Sequence, residues 1–427
     1  MARKGWKGME NQMKRVVITG IGAVTPVGIG VDAMWKNIKA GVCGIDEITH
    51  FDTSDFDIKL AAEVKDFQAV DYGIAKKEAR RMDRYCQFAC AAANLALTDA
   101  GTEFKEEDPF RVGVILGSGI GGINTLEEEH TKALEKGYNR VSPFFIPMMI
   151  SNMGCGMIAM QHGFKGDNFT AVTACSSANH AIGEAFRKIK YGYLDVVVAG
   201  GAEATITKFA ASGFNNMGAL SKSQDKSRAS IPFDKERDGF IMGEGSVMLI
   251  LEELEHARAR SAKIYGEIVG YGATADAYHI TSPDPEGTGA IKAMELSIGE
   301  AGITTEDVGY INAHGTSTPI NDKYETNAVK KVFGERAAQV PISSTKSMTG
   351  HMLGAAGAIE AAITCLALRD GVLPPTVGYK VPDEECDLDY ITEGARKADI
   401  EYAITNSLGF GGQNATLCLK KFEDERA

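Results

Sequence analysis

The chain lacks the features that mark several common classes of protein. Its eight cysteines are scattered between Cys43 and Cys418 without a C-x-x-C pair, which argues against a zinc site or a disulfide scaffold and favours a reducing, cytoplasmic setting. No apolar run is long enough to span a bilayer, so no membrane segment is predicted. Positive charge is scarce, because 45 Lys and Arg against 57 Asp and Glu give a net charge of −12. This balance argues against nucleic acid as a general partner.

What is present is a globular composition, with 44% hydrophobic and 24% charged residues in 427. That length suits one large unit with two cores, or two domains. Residues 1–12 begin with basic residues, but no apolar stretch follows them. We therefore predict a disordered leader there rather than a signal peptide.

Strand-like and helix-like stretches alternate along the chain. Short runs rich in β-branched residues at 16–18 and 112–115 predict buried strands. Residues 88–97 and 290–296 predict helices, each followed a few residues later by a glycine that commonly closes a helix. The alternation predicts an α/β fold.

Two distant segments, which begin at Cys175 and His351, match each other in step. In each a reactive residue opens a predicted helix rich in small residues, and Glu184 and Glu360 stand at the same offset. Only small side chains let backbones approach closely, so we expect both helices to lie centrally between two sheets. The expected order of layers is α-β-α-β-α.

A second internal match relates residues 111–119 to residues 307–315. Together the two matches imply a duplicated fold with different chemistry in each copy. We predict an N-terminal half at residues 13–262 and a C-terminal half at residues 263–427.

Three residues of the matched segments carry the candidate chemistry, and packing of the halves about a pseudo-twofold axis brings them together. Cys175 is predicted at a helix start, where the dipole and unpaired N–H groups stabilise a thiolate. His314 follows a predicted strand at residues 308–311, at the end where α/β proteins place ligands. The dipole of the helix after His351 favours a neutral ring. A nucleophile with two oxyanion-binding histidines is one interpretation, and two core histidines are the other.

Two glycine-rich segments need separate interpretations. Residues 117–122 fit G-x-G-x-x-G, but the acidic run at residues 127–129 would repel a pyrophosphate and no ribose-binding acid follows at the expected distance. We therefore predict no dinucleotide site. Residues 409–412 lie between two predicted strands, so a turn explains the glycines. Phe410 within them is interpreted as an exposed side chain that gates the nucleophile.

The densest basic cluster of this acidic chain lies at residues 76–84 and contains Lys77, Arg80 and Arg81. A solvated helix face is one interpretation. Docking of an acidic protein partner is the other, because a local positive patch steers such a partner's approach.

Four motifs, at Cys175, residues 312–318, residues 346–351 and residues 409–412, resemble those of the β-ketoacyl-[acyl carrier protein] synthases of fatty-acid synthesis, most closely the bacterial synthase II type. The resemblance runs from about Met13 to Lys421. It implies a thiolase-like fold, five-layered from two duplicated α/β halves, and a homodimer. It also implies acyl carrier protein as partner, and no cofactor or metal, since the substrates are carried on the phosphopantetheine of that protein.

By this resemblance Cys175 takes the acyl chain as a thioester, and malonyl-acyl carrier protein loses CO2 to give a carbanion that attacks it. His314 and His351 assist decarboxylation and stabilise the enolate, while the N–H groups of Cys175 and Phe410 form an oxyanion hole. The product is a 3-oxoacyl-acyl carrier protein. The supporting roles implied are a buried charge pair (Lys346, Glu360), pantetheine contacts (Thr316, Thr318), a wall of the acyl pocket (Ile120) and carrier docking (Lys77, Arg80, Arg81).

Other members of the superfamily remain as alternatives. They are a synthase I-type or polyketide ketosynthase, a non-catalytic chain-length partner, and a thiolase. Cys175 speaks against the non-catalytic partner, and the thiolase's second cysteine is replaced here by residues 409–412. The chain also departs from the common bacterial pattern at residues 176–178, Leu408 and Gln413.

Overall fold

The computed structural model of the protein describes residues 13–424, and the predicted leader lies outside them. Its strands are β1 (Val16–Thr25), β2 (Gly28–Ile29), β3 (Asp46–Glu47), β4 (Leu60–Ala61), β5 (Val112–Gly117), β6 (Asn168–Ala171), β7 (Val196–Glu203), β8 (Gly245–Glu253), β9 (Gly266–Ala275), β10 (Val308–Asn312), β11 (Ile342–Ser343), β12 (Val372–Leu373), β13 (Arg396–Lys397), β14 (Tyr402–Leu408) and β15 (Gln413–Lys420).

Its α-helices are α1 (Val31–Lys39), α2 (Lys76–Ala79), α3 (Arg84–Ala100), α4 (Ile123–Lys136), α5 (Phe145–Met149), α6 (Met153–His162), α7 (Ser177–Lys190), α8 (Lys208–Asn216), α9 (Leu254–Ala259), α10 (Thr288–Glu300), α11 (Pro319–Phe333), α12 (Lys346–Thr349) and α13 (Ala356–Asp370). The strands and helices predicted from the sequence lie within β1, β5, α3 and α10. No helix of the described residues is long and apolar enough to cross a membrane.

The main sheet shows the duplication directly. Its order is β11-β10-β14-β15-β9-β1-β8-β7-β5-β6, so the series β6-β5-β7-β8-β1 is repeated as β11-β10-β14-β15-β9. In both series the first three strands are parallel and the next two pairings are antiparallel. The copies meet where β1 pairs antiparallel with β9, with Val16 opposite Ile268. An antiparallel junction between two like copies is the arrangement that a pseudo-twofold axis produces.

The helices complete five layers, as the sequence predicts. α7 and α13 contact each other and strands of both halves, while α3 packs against β1, β7 and β8, and α10 against β9, β14 and β15. Every residue from Ala356 to Leu368 in α13 is buried, since this helix packs against strands of both series and against α7. The α/β, thiolase-like fold of two duplicated halves is therefore confirmed, whereas the boundary at residues 262 and 263 stays a prediction.

The two central helices do not begin where the sequence match places them. α7 and α13 each follow a 3-10 turn, Ala174–Ser176 and Leu353–Ala355, whose first residues have φ of 49° and 45°. The structural counterpart of Cys175 is thus Gly354, three residues beyond His351. The prediction that His351 opens a helix is wrong: it forms an extended bridge with Met242 before the turn.

Candidate active site

The structure brings Cys175, His314 and His351 together at the junction of the halves. Cys175 lies in the turn before α7, His314 follows β10, and His351 lies between α12 and α13. The cysteine sulfur and a ring nitrogen of each histidine lie within 4.8 Å of one another. The two imidazoles meet edge to face, with centroids 5.4 Å apart. A thiol and two imidazoles are thus within reach of one small substrate group.

Both histidines are neutral at physiological pH. Burial lowers the pKa of each ring well below its usual range, and the Lys346 ammonium lowers both further. The sequence predicts a neutral His351 from a helix dipole, but burial is the larger cause. The Nζ of Lys346 lies 3.4 Å from Nδ1 of His314 and donates to the His314 carbonyl at 2.5 Å. Because an ammonium only donates, His314 presents Nδ1 as acceptor and keeps its proton on Nε2.

His351 has free bonding capacity. Neither of its ring nitrogens has a hydrogen-bond partner among residues 13–424, although the side chain is only 2% exposed. The Phe240 ring packs against it edge to face at 5.2 Å and fixes the plane of the imidazole. A held, neutral ring of this kind is suited to donate one hydrogen bond to a bound substrate.

The Cys175 thiol is not the stabilised thiolate that the sequence predicts. Burial raises its pKa to about 12, against the opposing effects of the Lys346 charge and the Phe410 backbone N–H. Desolvation of an anion outweighs the dipole of one helix terminus. The resting nucleophile is therefore a protonated thiol, whose proton must leave when sulfur attacks.

Phe410 lies in the turn between β14 and β15, as predicted, and its backbone N–H is directed at the Cys175 sulfur. Its side chain is half-buried rather than exposed, because it lines the active-site cavity. Gly411 and Gly412 have φ of 87° and 76°, a region that suits glycine. These residues give the turn the sharp reversal that aims the Phe410 N–H inward.

A cavity of about 550 Å³ surrounds the three reactive side chains. This volume is typical of small-molecule sites. Ile120, Thr316 and Thr318 line it together with Phe410, and the two threonine hydroxyls lie 2.9 Å apart. The aromatic and aliphatic side chains that complete its apolar wall were not predicted from the sequence, and they are Phe214, Met217, Phe240, Leu353 and Ile320.

Lys346 and Glu360 form a buried ion pair next to the histidines, each 1% exposed. Burial raises the pKa of Glu360 to about 7, although the Lys346 charge opposes the shift.

Lys77, Arg80 and Arg81 are exposed on α2 and the turn after it, and they do not line the cavity. The Arg81 guanidinium stacks over Phe144 at 4.6 Å.

Two further buried carboxylates were missed. Glu325 accepts from the backbone N–H of His314 at 2.7 Å and of Gly315 at 2.8 Å, which fixes the histidine loop. Glu203 accepts from the N–H of Gly119 at 2.7 Å, beside Ile120. A charged residue that ends a strongly apolar strand was the available signal for Glu203. Glu325 lies within a helix of mixed polarity and gave no such signal.

The thiol and two imidazoles are also the one cluster in residues 13–424 whose donor atoms could hold a metal ion. Such a donor set suits zinc. However, the Lys346 ammonium lies against His314 and would repel a cation. The absence of a metal from the reaction stays a prediction.

A buried thiol, two neutral imidazoles and an apolar cavity within a duplicated five-layered fold define an acyl-transferring enzyme of the thiolase-like class. The chain belongs to the beta-ketoacyl synthase family. The family model of the N-terminal domain matches residues 13–257, and that of the C-terminal domain matches residues 265–380.

Individual relatives agree with this assignment. The chain is 51% identical to 3-oxoacyl-[acyl-carrier-protein] synthase 2 of Staphylococcus aureus over 97% of its length and 100% of the relative's. The ishigamide ketosynthase/chain length factor superposes with a TM-score of 0.90 at 34% identity, covering 96% of this chain and 100% of the other. A type II PKS ketosynthase, solved with its acyl-carrier protein, gives a TM-score of 0.89 at 33% identity with the same coverage.

Proposed function

We propose that the protein elongates fatty acids by condensing an acyl-enzyme thioester with malonyl-acyl carrier protein, releasing CO2 and 3-oxoacyl-acyl carrier protein. The observation that carries this proposal is the placement of the Cys175 sulfur within 4.8 Å of ring nitrogens of His314 and His351. The 51% identity to a 3-oxoacyl-[acyl-carrier-protein] synthase 2 supports the substrate class.

In the first half-reaction the Cys175 sulfur attacks the acyl thioester. Its proton passes to a neutral imidazole, and then to the departing pantetheine thiol. The N–H groups of Cys175 and Phe410 bind the oxyanion of the tetrahedral intermediate, and each such donor is typically worth ~3 kcal/mol. Thr316 and Thr318 contact the pantetheine arm from the cavity wall.

In the second half-reaction the bond between the malonyl C2 and its carboxylate breaks, and the electron pair passes to an enolate. The Nε2–H of His314 and one ring N–H of His351 donate to the enolate oxygen. The C2 carbanion then attacks the Cys175 thioester, a carbon–carbon bond forms, and the carbon–sulfur bond breaks. The released Cys175 thiolate takes up a proton from solvent, so that the overall condensation consumes one proton, and no cofactor is required at any step.

Other features support the remaining expectations. The exposed cations Lys77, Arg80 and Arg81 form the docking surface for acidic acyl carrier protein. The edge strand β6, whose outer side pairs with no strand of the described residues, exposes Phe169 and, just beyond it, Val172, and forms the contact of a homodimer. Sedimentation analysis tests the dimer. Eight free cysteines fit a cytoplasmic location.

Substitution of the nucleophile separates the two half-reactions. Cys175→Gln should lower condensation ~10⁴-fold or more, the scale of a lost nucleophile, while malonyl decarboxylation continues because the histidines perform it. His314→Ala and His351→Ala should lose decarboxylation, and condensation with it, because the attacking carbanion forms only by loss of CO2. Acyl-enzyme peptides that map to Cys155 or Cys418, or a Cys175→Gln variant that folds but loses both activities, would contradict the proposal.

A further inference from the structure

The glycine loop after β5 binds a carboxylate of its own chain. The backbone N–H of Gly119 donates to Oε2 of Glu203 at 2.7 Å, and those of Ile120 and Gly121 donate to Oε1 at 3.2 and 3.4 Å. The Ser118 hydroxyl donates to Oε1 at 3.3 Å. Successive backbone N–H groups of this kind make an anion-binding concavity. The loop that resembles a dinucleotide fingerprint therefore holds an internal anion, Glu203.

Glu203 also ties this loop to the other half of the molecule. Its Oε2 accepts from the N–H of Gly354 at 2.9 Å, in the turn that leads into α13. The Glu203 side chain is 0% exposed and ends the central strand β7. A Cβ on Gly354 would lie 2.2 Å from the Gly119 nitrogen and 2.6 Å from Oε2 of Glu203. The two loops are thus in direct contact around one carboxylate.

Both loops form part of the wall of the active-site cavity. Gly119 and Ile120 line it from the first loop, and Leu353 lines it from the second. The Ile120 backbone is thus hydrogen-bonded to Glu203, while the Ile120 side chain packs against an apolar cluster at the cavity. A carboxylate also holds the equivalent loop of the C-terminal half, after β10, but there it is Glu325 of helix α11 rather than a residue at the end of a strand.

We propose that Glu203 is a positioning residue for acyl-chain length, which fixes Ile120 by holding its loop against the Gly354 turn. This inference rests on the proposed function, since it assumes that the acyl chain lies in the cavity. With the loop held, a larger side chain at residue 120 blocks long chains. With the loop released, the wall yields and the same substitution has little effect.

A double-mutant cycle on the first half-reaction tests the proposal. The rate of acyl-enzyme formation is followed by intact-protein mass for butyryl- and palmitoyl-acyl carrier protein. Ile120→Phe should lower the long-to-short rate ratio about tenfold in the native background but less than about threefold in Glu203→Gln, because contacting residues couple.

Glu63→Gln is the matched control. Glu63 is also buried, and it accepts from the backbone N–H of Thr49 at 2.8 Å and of His50 at 3.1 Å, but it does not line the cavity. In this background Ile120→Phe should keep its full effect on the ratio. An equal loss of coupling in Glu63→Gln would show that destabilisation alone removes length selection, and would overturn the role of Glu203.

Additive effects of Ile120→Phe and Glu203→Gln on the rate ratio would also overturn the role of Glu203. The same holds if Ile120→Phe, with Glu203 intact, leaves the long-to-short rate ratio unchanged. If Glu203→Gln does not fold, Glu203→Asp, which keeps the charge but withdraws it from the loop, replaces it in the cycle with the same expected loss of coupling. Failure of the native enzyme to form any acyl-enzyme would instead refute the proposed function, so the two failures are distinguishable.

Discussion

The charge state of the nucleophile is decided by burial at a single residue. With a pKa raised to about 12, the Cys175 thiol is almost entirely protonated at pH 7. Only the thiolate reacts with iodoacetamide. We therefore expect the alkylation rate at Cys175, followed by peptide mapping, to rise ~10-fold per pH unit from pH 7 to pH 10. A plateau below pH 8 would contradict a raised pKa and would indicate a stabilised thiolate.

The buried pair of Lys346 and Glu360 gives a second prediction at this scale. Lys346→Met leaves a buried carboxyl without its cation, and breaking such a pair typically costs about 3–5 kcal/mol of unfolding free energy. The double variant Lys346→Met/Glu360→Leu should recover part of this loss, because no unpaired charge remains. Urea unfolding of the two single variants and the double variant measures both values. Additive losses would show that the two side chains contribute independently.

The pair also has a pH dependence. Removal of Lys346 removes the charge that opposes the raised pKa of Glu360, so the carboxyl of Lys346→Met takes up a proton more readily. A carboxyl whose pKa is higher in the folded state than in the unfolded chain stabilises the folded state fully at a pH below its unfolded pKa. This contribution is lost as the pH rises through the folded pKa. The loss of unfolding free energy in Lys346→Met, relative to the native protein, should therefore become smaller as the pH falls from 8 to 5. Unfolding curves at several pH values check the trend, and a constant loss would contradict it.

Motifs located the reactive residues, because Cys175, His314 and His351 each stand in a distinctive local sequence. The same reasoning failed for the Cys175 pKa, since desolvation depends on what the rest of the chain packs around the sulfur. It also missed Glu203 and Glu325. Glu203 accepts from backbone N–H groups 82 or more residues away in the sequence, and Glu325 accepts from groups 10 and 11 residues away. Neither set of hydrogen bonds follows from the residues that flank the carboxylate, because only the folded chain brings the partners within bonding distance.

At the scale of elements, α2 and the turn after it provide the test of carrier docking. Changing Lys77, Arg80 and Arg81 together to Glu should raise KM for carrier-bound substrates at least ~10-fold, through lost electrostatic attraction. Reaction of small pantetheine thioesters should be almost unchanged. Steady-state kinetics at two salt concentrations measures both effects.

A charge-matched control uses exposed lysines of the C-terminal half. Lys292, Lys331 and Lys397 lie on α10, α11 and β13 and are exposed. Changing these three lysines together to Glu alters the net charge by the same amount as the triple variant at Lys77, Arg80 and Arg81. It should leave KM for carrier-bound substrates nearly constant. An equal rise in KM for both triple variants would indicate a general charge effect rather than a docking surface.

The duplicated elements were predictable, but their register was not. The sequence match aligned Cys175 with His351 because similar small residues follow both. The structure aligns Cys175 with Gly354, because Ala174 and Leu353 share the left-handed conformation that starts each turn. Close packing selects Gly and Ala along a whole helix. Such residues therefore predict that the helix is tightly packed, but they do not predict the residue at which it begins.

At the scale of the whole molecule, the halves share the largest apolar core, and each half also has a smaller apolar cluster beside it. The largest apolar cluster joins Ile182 of α7 and Leu249 of β8 with Ala358 of α13 and Leu417 of β15. α7 belongs to the first half by sequence, yet it contacts β9 and β15 of the second. The chain is thus duplicated in topology but continuous in packing.

This shared core predicts that neither half folds alone. Residues 13–262 expressed without the rest would expose the face of α7 that packs on α13, together with the free side of β1, and should bind a hydrophobic dye and lack a cooperative thermal transition. The full chain should unfold in one transition, with calorimetric and van't Hoff enthalpies that agree per cooperative unit. Residues 263–427 should behave like the first fragment, because α13 is buried from Ala356 to Leu368 and part of that burial comes from α7, β7 and β8 of the first half. A fragment 13–262 with a sharp transition of its own would show that the halves are autonomous domains, and that the active site between them is an interface rather than part of one core.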